Sequence, residues 1–252
     1  MRDRLPRPGA AFFAVKSAGV YWTMLRAIIL DFNGVILDDE PLHFAAMRES
    51  VAEFGIDLER EEYWEKYLPL DDKRCLKAIC RDHSAHLSEA ERTKALMRKS
   101  ELYRRLLRDD FRLFDGAAEF IRAAASLYPL ALASGARRRE IESTLESTGL
   151  RRYFVSIVAA EDFIRGKPHP ESFLLALDRL NDILDSPQIQ PRECLVVEDS
   201  VGGIRGARAA GMTCLAVTNS YPREMLQGAQ GIVNSLAEVK LDGLQGLFEE
   251  PM

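Results

Sequence analysis

The stretch Arg26-Ala27-Ile28-Ile29-Leu30-Asp31-Phe32-Asn33-Gly34-Val35 decides how this chain is read. Its continuous apolar run ends in an acid. That pattern suits a strand buried on both faces, as in a parallel sheet, and not the alternation of a half-solvated strand. Similar runs recur at Leu130 to Ala133, Val155 to Ala159, Cys194 to Val197 and Thr213 to Val217. Helical stretches such as Arg138 to Ser147 and Glu171 to Leu180 lie between the later ones. Strand alternating with helix predicts right-handed crossovers and an α/β, doubly wound, Rossmann-like parallel sheet.

One segment breaks the alternation. From about Pro41 to about Arg112 the pattern is helical only, with Phe44, Met47, Val51 and Phe54 forming an apolar stripe at helical spacing. Ser88 and Glu91 form a capping box ahead of a long charged helix that reaches about Arg108. An all-helical cap over 38–110 is therefore expected, inserted into a core made of 24–37 and 111–252. Residues 1–23 carry Pro6, Pro8, Gly9 and a short apolar patch broken by Lys16. They read as a disordered leader or as the product of a mis-assigned start codon, with organised sequence beginning at Met24.

Composition narrows the function. The 252 residues are 47% apolar and 29% charged, with a formal charge of -5, the balance of an ordinary globular protein. No stretch gathers enough Lys and Arg for a nucleic-acid footprint, and no apolar run approaches the roughly 18 residues that span a bilayer. Cys75, Cys80, Cys194 and Cys214 form no Cys-x-x-Cys pair or zinc spacing. They read as reduced structural thiols, and the expected location is cytoplasmic.

In an open parallel sheet, ligands bind at the carboxyl ends of the strands, near the point where strand order reverses. The first strand ends at Asp31-Phe32-Asn33-Gly34 and the second at Ala133-Ser134-Gly135. A loop holds Gly166-Lys167-Pro168, and the fourth strand ends at Glu198-Asp199-Ser200 before the small residues Val201-Gly202-Gly203. Singly, each is an ordinary turn, cap or surface residue. Together they supply a carboxylate nucleophile, a hydroxyl, a cation and further carboxylates, which is what a phosphoryl group and Mg²⁺ require.

From Met24 to about Val233 the sequence resembles the haloacid dehalogenase superfamily, in its β-phosphoglucomutase-like and phosphatase-like branch with a helical cap. Asp31-Phe32-Asn33-Gly34-Val35 with the run to His43 looks like the first motif, and Leu132-Ala133-Ser134-Gly135 like the second. Gly166-Lys167-Pro168-His169-Pro170 looks like the third. Val196-Val197-Glu198-Asp199-Ser200 with Ala210-Gly211-Met212 looks like the fourth. The resemblance implies that Asp31 attacks phosphorus and forms an aspartyl-phosphate. It implies Mg²⁺ held by Asp31, Asp199 and the Asn33 carbonyl, with Glu198 as a direct or outer partner. Ser134 and nearby amides, including that of Gly135, would hold phosphoryl oxygens, and Lys167 would neutralise charge. A cap that closes over the site would exclude water and select substrate. The expected activity is hydrolysis of a small phosphomonoester, by a monomer or weak dimer.

The match departs at one position. The family's phosphatases usually carry Asp two residues after the nucleophile, as acid and base, whereas this chain has Asn33, whose amide cannot trade the proton. Substrates with good leaving groups, a weakly active relative that binds a phosphorylated ligand, or restoration of the acid are the open readings. Restoration would come from deamidation at Asn33-Gly34, or from His43, whose near-neutral pKa suits proton transfer. His43 as a mere hinge-packing residue is the competing reading. The cap stretch Tyr67-Leu68-Pro69-Leu70-Asp71-Asp72 is apolar and acidic where sugar-phosphate mutases carry a basic pair, which counts against a mutase. Helical spacing fans Arg137, Arg138 and Arg139 around a helix, leaving two solvated and Arg137 as a candidate substrate grip. Dehalogenase chemistry would not need Glu198 and Asp199 as a metal site. Nothing singles out Lys66, Lys73 or Lys77 as the Schiff-base lysine of a phosphonate hydrolase.

Overall fold

The protein is described by a computed structural model over residues 24–68, 70–109, 111–184 and 187–248. The leader expected at 1–23 lies outside the described residues. The chain divides into two compact units, Met1–Leu37 with Leu113–Met252, and Asp38–Arg112.

The first unit opens with β1 (Ala27–Leu30), whose four residues are all buried, as the unbroken apolar run requires. The chain passes into the second unit through β2 (Leu37–Asp38) and returns through β3 (Arg112–Leu113), and these two short strands pair with each other. Within the second unit lie α1 (Glu40–Ala52), α2 (Arg60–Glu62) running into a π-turn at Tyr63–Tyr67, α3 (Asp72–Asp82) and α4 (Glu89–Asp109). The capping box is formed at α4: the Ser88 amide donates to Glu91 Oε2 at 2.7 Å, and the Glu91 amide to Ser88 Oγ at 3.3 Å. Met47 and Val51 from the predicted stripe are buried together with Leu58, Leu76 and Ile79.

After β3 the first unit resumes with α5 (Ala117–Ala125), β4 (Leu130–Ala133), α6 (Arg138–Ser147), β5 (Phe154–Val158), α7 (Glu171–Ile183), β6 (Cys194–Glu198), α8 (Val201–Ala209), β7 (Thr213–Val217) and β8 (Gly231–Val233). The sheet order is β5-β4-β1-β6-β7-β8, and every pairing is parallel. From β1 the chain builds outward to β4 and β5, then crosses back to β6 on the other side of β1. The switch point therefore lies at β1 and β6, where side chains leaving the carboxyl ends face a crevice. Leu30 registers with Leu132 on β4 and with Val197 on β6, so Asp31, Ser134 and Glu198 leave the sheet at one edge.

Small residues let the helices sit close to this sheet. Ala27, Ala131, Ala133, Cys194, Ala207 and Ala216 share a buried cluster with Phe173, Leu177 and Leu180 of α7. Truncating a fully buried Phe173 to Ala costs about 3–5 kcal/mol in such a core. Two-residue β2 and β3 and three-residue β8 carry no period of their own, which is why the sequence pattern did not reveal them.

Candidate active site

Asp31 leaves β1 with its amide tied to Val197 O at 3.0 Å, so the strand pairing itself aims its side chain at the crevice. Lys167 Nζ lies 2.9 Å from Asp31 Oδ2 and 2.5 Å from Glu198 Oε1, and 5.0 Å above the Phe173 ring. The other oxygen, Asp31 Oδ1, is buried and has no hydrogen-bond partner. Burial pushes the Asp31 carboxyl up, Lys167 opposes it and Glu198 adds to it, leaving it at about 6.

Glu198 is fully buried and saturated. Its Oε1 receives Lys167, and its Oε2 accepts from the Asp199 amide (2.9 Å), the Ser200 amide (2.9 Å) and Ser200 Oγ (2.8 Å). A Cβ at Gly203, on the first turn of α8, would collide with this carboxylate. Burial alone would raise Glu198, but Lys167 and Ser200 hold it below the usual carboxylate range. Burial works against the charge on Lys167 as well, yet Asp31 and Glu198 keep its pKa above that of an ordinary lysine. Asp199 is different. Burial, and then the charges of Glu198 and Asp31, raise it well above the usual range.

The acids fit a divalent cation. Ligand oxygens of Asp31, Glu198 and Asp199 lie within 4.8 Å of one another, the one such cluster among the described residues. The unpartnered Asp31 Oδ1 and the raised carboxyl of Asp199 both lack the positive charge that a hard, oxygen-seeking ion would bring.

The loop after Asp31 is tight. The Ile36 and Leu37 amides donate to Phe32 O at 2.8 and 2.9 Å, and the Gly34 amide donates to Leu37 O at 3.0 Å. Gly34 has φ +75, and a Cβ there would run into Asp199, so both conformation and space demand glycine. Deamidation of Asn33 needs the Gly34 nitrogen to attack the side-chain amide, and this nitrogen is engaged with Leu37. The fold thus opposes that route to an aspartate.

Ser134 is buried at the end of β4, and its Oγ accepts from the Ala136 amide at 3.2 Å. Gly135 beside it is open: a Cβ there would meet nothing within 4 Å. Arg137 stands exposed at the N-cap of α6, its amide 3.4 Å from Glu140 Oε2, with no contact joining it to the acids. Arg138 is not the solvated arginine that spacing suggested. It reaches Asp162 Oδ2 at 2.5 Å and Ile157 O at 3.2 Å, and Arg179 holds Asp162 from the other side at 3.0 Å. Helical periodicity could not show this, because Asp162 lies in the loop after β5.

His43 belongs to the helical unit, where both ring nitrogens are engaged. Nδ1 receives Lys99 Nζ at 2.5 Å, and Nε2 lies 3.1 Å from Asp39 Oδ2. Tyr103 stacks on the ring at 4.2 Å and donates its hydroxyl to Asp39 Oδ2 at 2.7 Å, while Lys99 also donates to Asp72 at 2.7 Å.

Two neighbours of the acids were missed by the sequence reading. Asn219 Nδ2 donates to Gly34 O at 2.8 Å, and Ser220 Oγ sits beside the Asp199 carboxylate against Gly34. Both come directly after β7, at the same carboxyl edge of the sheet as Asp31 and Glu198.

A doubly wound sheet with crowded carboxylates and a lysine at its switch point, and a helical unit inserted after the first strand, defines a class of metal-dependent α/β hydrolases. This chain belongs to the haloacid dehalogenase-like hydrolase family, which it matches over residues 25–211. It is 32% identical to the Escherichia coli fructose-1-phosphate phosphatase YqaB over 75% of this chain and 95% of that protein. It is 35% identical to the chloroplastic 5-amino-6-(5-phospho-D-ribitylamino)uracil phosphatase of Arabidopsis thaliana, over 60% of this chain but 39% of that longer protein. The structure of CbbY from Rhodobacter sphaeroides in complex with phosphate superposes with a TM-score of 0.70 at 28% identity, covering 88% of this chain and 99% of that one.

Proposed function

We propose that this enzyme is a phosphoric monoester hydrolase that uses Mg²⁺ and acts on a small phosphorylated metabolite, with Asp31 as the nucleophile. The observation that carries the reading is the Asp31 carboxylate itself. One oxygen is fixed by Lys167, and the other is buried, unpartnered and beside two more acids at the switch point.

In the first step an Asp31 oxygen bonds to phosphorus as the ester P–O bond breaks, and the leaving-group oxygen departs with the bonding pair, taking its proton from solvent. In the second, water attacks phosphorus, the Asp31–phosphorus link breaks, and inorganic phosphate leaves. Lys167 neutralises charge on Asp31 and on the incoming phosphoryl group, while Glu198 keeps Lys167 in place. Ser134 Oγ and the open backbone at Gly135 hold phosphoryl oxygens. Asp31, Asp199 and the Asn33 carbonyl hold the cation, with Glu198 behind them because its oxygens are already occupied. Bound there, Mg²⁺ would supply positive charge to the phosphoryl oxygens.

Asn33 cannot protonate an alkoxide, and losing an acid at that step costs on the order of 10²–10⁴ in rate. The enzyme therefore favours substrates whose leaving group departs without a proton. A second reading, a weakly active relative that binds a phosphorylated ligand, rests on the same asparagine. Mutase activity is not supported, since the Asp71 and Asp72 carboxylates occupy the stretch that would grip a second phosphate. Four buried free cysteines agree with a cytoplasmic setting. Turnover of acetyl phosphate and p-nitrophenyl phosphate with Mg²⁺, followed by a panel of sugar phosphates, tests the proposal. Tight binding without turnover of any of them would favour the second reading.

A further inference from the structure

The loop after β7 touches the site at two points that the sequence motifs do not mark. Asn219 Nδ2 donates to the carbonyl of Gly34 at 2.8 Å, pinning the backbone that turns directly after Asp31 and Asn33. Ser220 Oγ lies where Gly34 and Asp199 meet, 2.9 Å from the position a Gly34 Cβ would take, with Asp199 Oδ2 closer still to that same point, so the hydroxyl sits beside the Asp199 carboxylate and favours its charged form. The Thr218 amide is fastened to Val233 O at 3.0 Å, so this loop is anchored to the sheet rather than draped over it.

We propose that Asn219 and Ser220 are positioning residues of the cation site: Ser220 orients the Asp199 carboxylate toward the ion, and Asn219 holds the Asn33–Gly34 backbone against it. The inference rests on the proposed function only in taking the site to bind Mg²⁺. Its physical basis is that a carboxylate with two equivalent oxygens rotates unless one is fixed, and that donors behind a ligand set its aim. A hydroxyl on one oxygen leaves the other for the ion. The Gly34 carbonyl comes directly after Asn33, the residue whose own carbonyl faces the site in the proposed function. A donor on it fixes the peptide plane between Gly34 and Val35, the unit directly after the one that carries the Asn33 carbonyl.

The test is isothermal titration of Mg²⁺ into the full chain and its variants, beside turnover at limiting and saturating Mg²⁺. Ser220→Ala should weaken Mg²⁺ binding by about tenfold, the lower end of what outer partners of metal ligands typically contribute. Its kcat should return toward wild type once Mg²⁺ saturates, and Ser220→Thr, which keeps the hydroxyl, should bind nearly as wild type does. Asn219→Asp keeps the size of the side chain and removes the N–H donor, and it should also weaken Mg²⁺ binding without lowering the melting temperature in EDTA. Ser220→Ala binding Mg²⁺ with wild-type affinity, or Ser220→Thr as weak as Ser220→Ala, would overturn the inference. Wild type that binds Mg²⁺ and hydrolyses no phosphoester would defeat the proposed function instead, and would leave the binding comparison standing.

Discussion

Each unit of the molecule buries a lysine among carboxylates, and the two settings end differently. In the helical unit Lys99, only 2% exposed, meets Asp72 and His43; His43 passes on to Asp39, and Tyr103 closes back onto Asp39. The circuit is complete. At the sheet edge Lys167 meets Asp31 and Glu198, and Glu198 passes on to Ser200, whose Oγ accepts the Gly203 amide at 3.0 Å, while at the other end Asp31 Oδ1 is left unsatisfied. Buried polar groups are normally paired, so the leftover atom is the informative one. Among the described residues, the same residue types leave no buried side-chain polar atom without a partner around Lys99, and leave one beside Lys167.

The sharpest way to break this comparison is to remove each lysine. Lys167→Ala should lower turnover by about 10²–10³-fold, the usual effect of deleting one electrostatic stabiliser. Lys99→Met should instead act on folding, destabilising the chain by about 1–3 kcal/mol while leaving kcat close to wild type. Paired melting and kinetic measurements decide it, and a Lys99 variant that melts normally but loses its rate would move a chemical role into the helical unit.

A smaller effect is expected at Asn33. Asn33→Asp should raise turnover of alkyl phosphates by one to two orders of magnitude, part of what a positioned acid–base group contributes, and hardly change p-nitrophenyl phosphate. Because the Gly34 amide is engaged with Leu37, intact mass spectrometry of aged folded protein should still find Asn33 unconverted. If the asparagine enzyme already matches Asn33→Asp on alkyl phosphates, another group supplies the proton, and His43→Gln becomes the variant to measure.

The smallest effect concerns the Arg138–Asp162–Arg179 cluster, which like the Lys99 circuit is closed. Burial works against the Asp162 carboxylate, but Arg179, the Ala159 amide and Arg138 hold its pKa below the ordinary value. A depressed folded pKa contributes stability above the unfolded value and loses it as pH falls through the folded one. Asp162→Asn should therefore cost about 1–2 kcal/mol at neutral pH. The gap to wild type should shrink below about pH 4, where an unperturbed aspartate takes up its proton. Melting curves across pH 3 to 7 read this directly.

Much of this was legible in the sequence, and the reasons differ by element. Unbroken apolar runs such as Ala27–Leu30 and Cys194–Val197 mark strands buried on both faces, and parallel pairing brings the residues at their carboxyl ends to one edge of the sheet. Asp31, Ser134, Glu198 and Asp199 could be read for that reason, and Lys167 from the Gly166-Lys167-Pro168 loop ahead of α7. Bond saturation is not a property of spacing: nothing in Glu198-Asp199-Ser200 distinguishes a carboxylate with four donors from one awaiting an ion. Nor does sequence show that both nitrogens of His43 are engaged, since Lys99 comes from another helix. Asn219 and Ser220 were hidden because a polar turn after a strand is ordinary until its partners are known.

The most direct test asks whether phosphorus becomes bonded to Asp31. Protein mixed with acetyl phosphate and Mg²⁺, quenched in acid and digested, should yield the Asp31 peptide heavier by about 80 Da, the mass of a transferred phosphoryl group. The adduct should be absent from Asp31→Asn, which should also lack turnover. An adduct on another residue, or Mg²⁺-dependent turnover surviving in Asp31→Asn, would contradict the account.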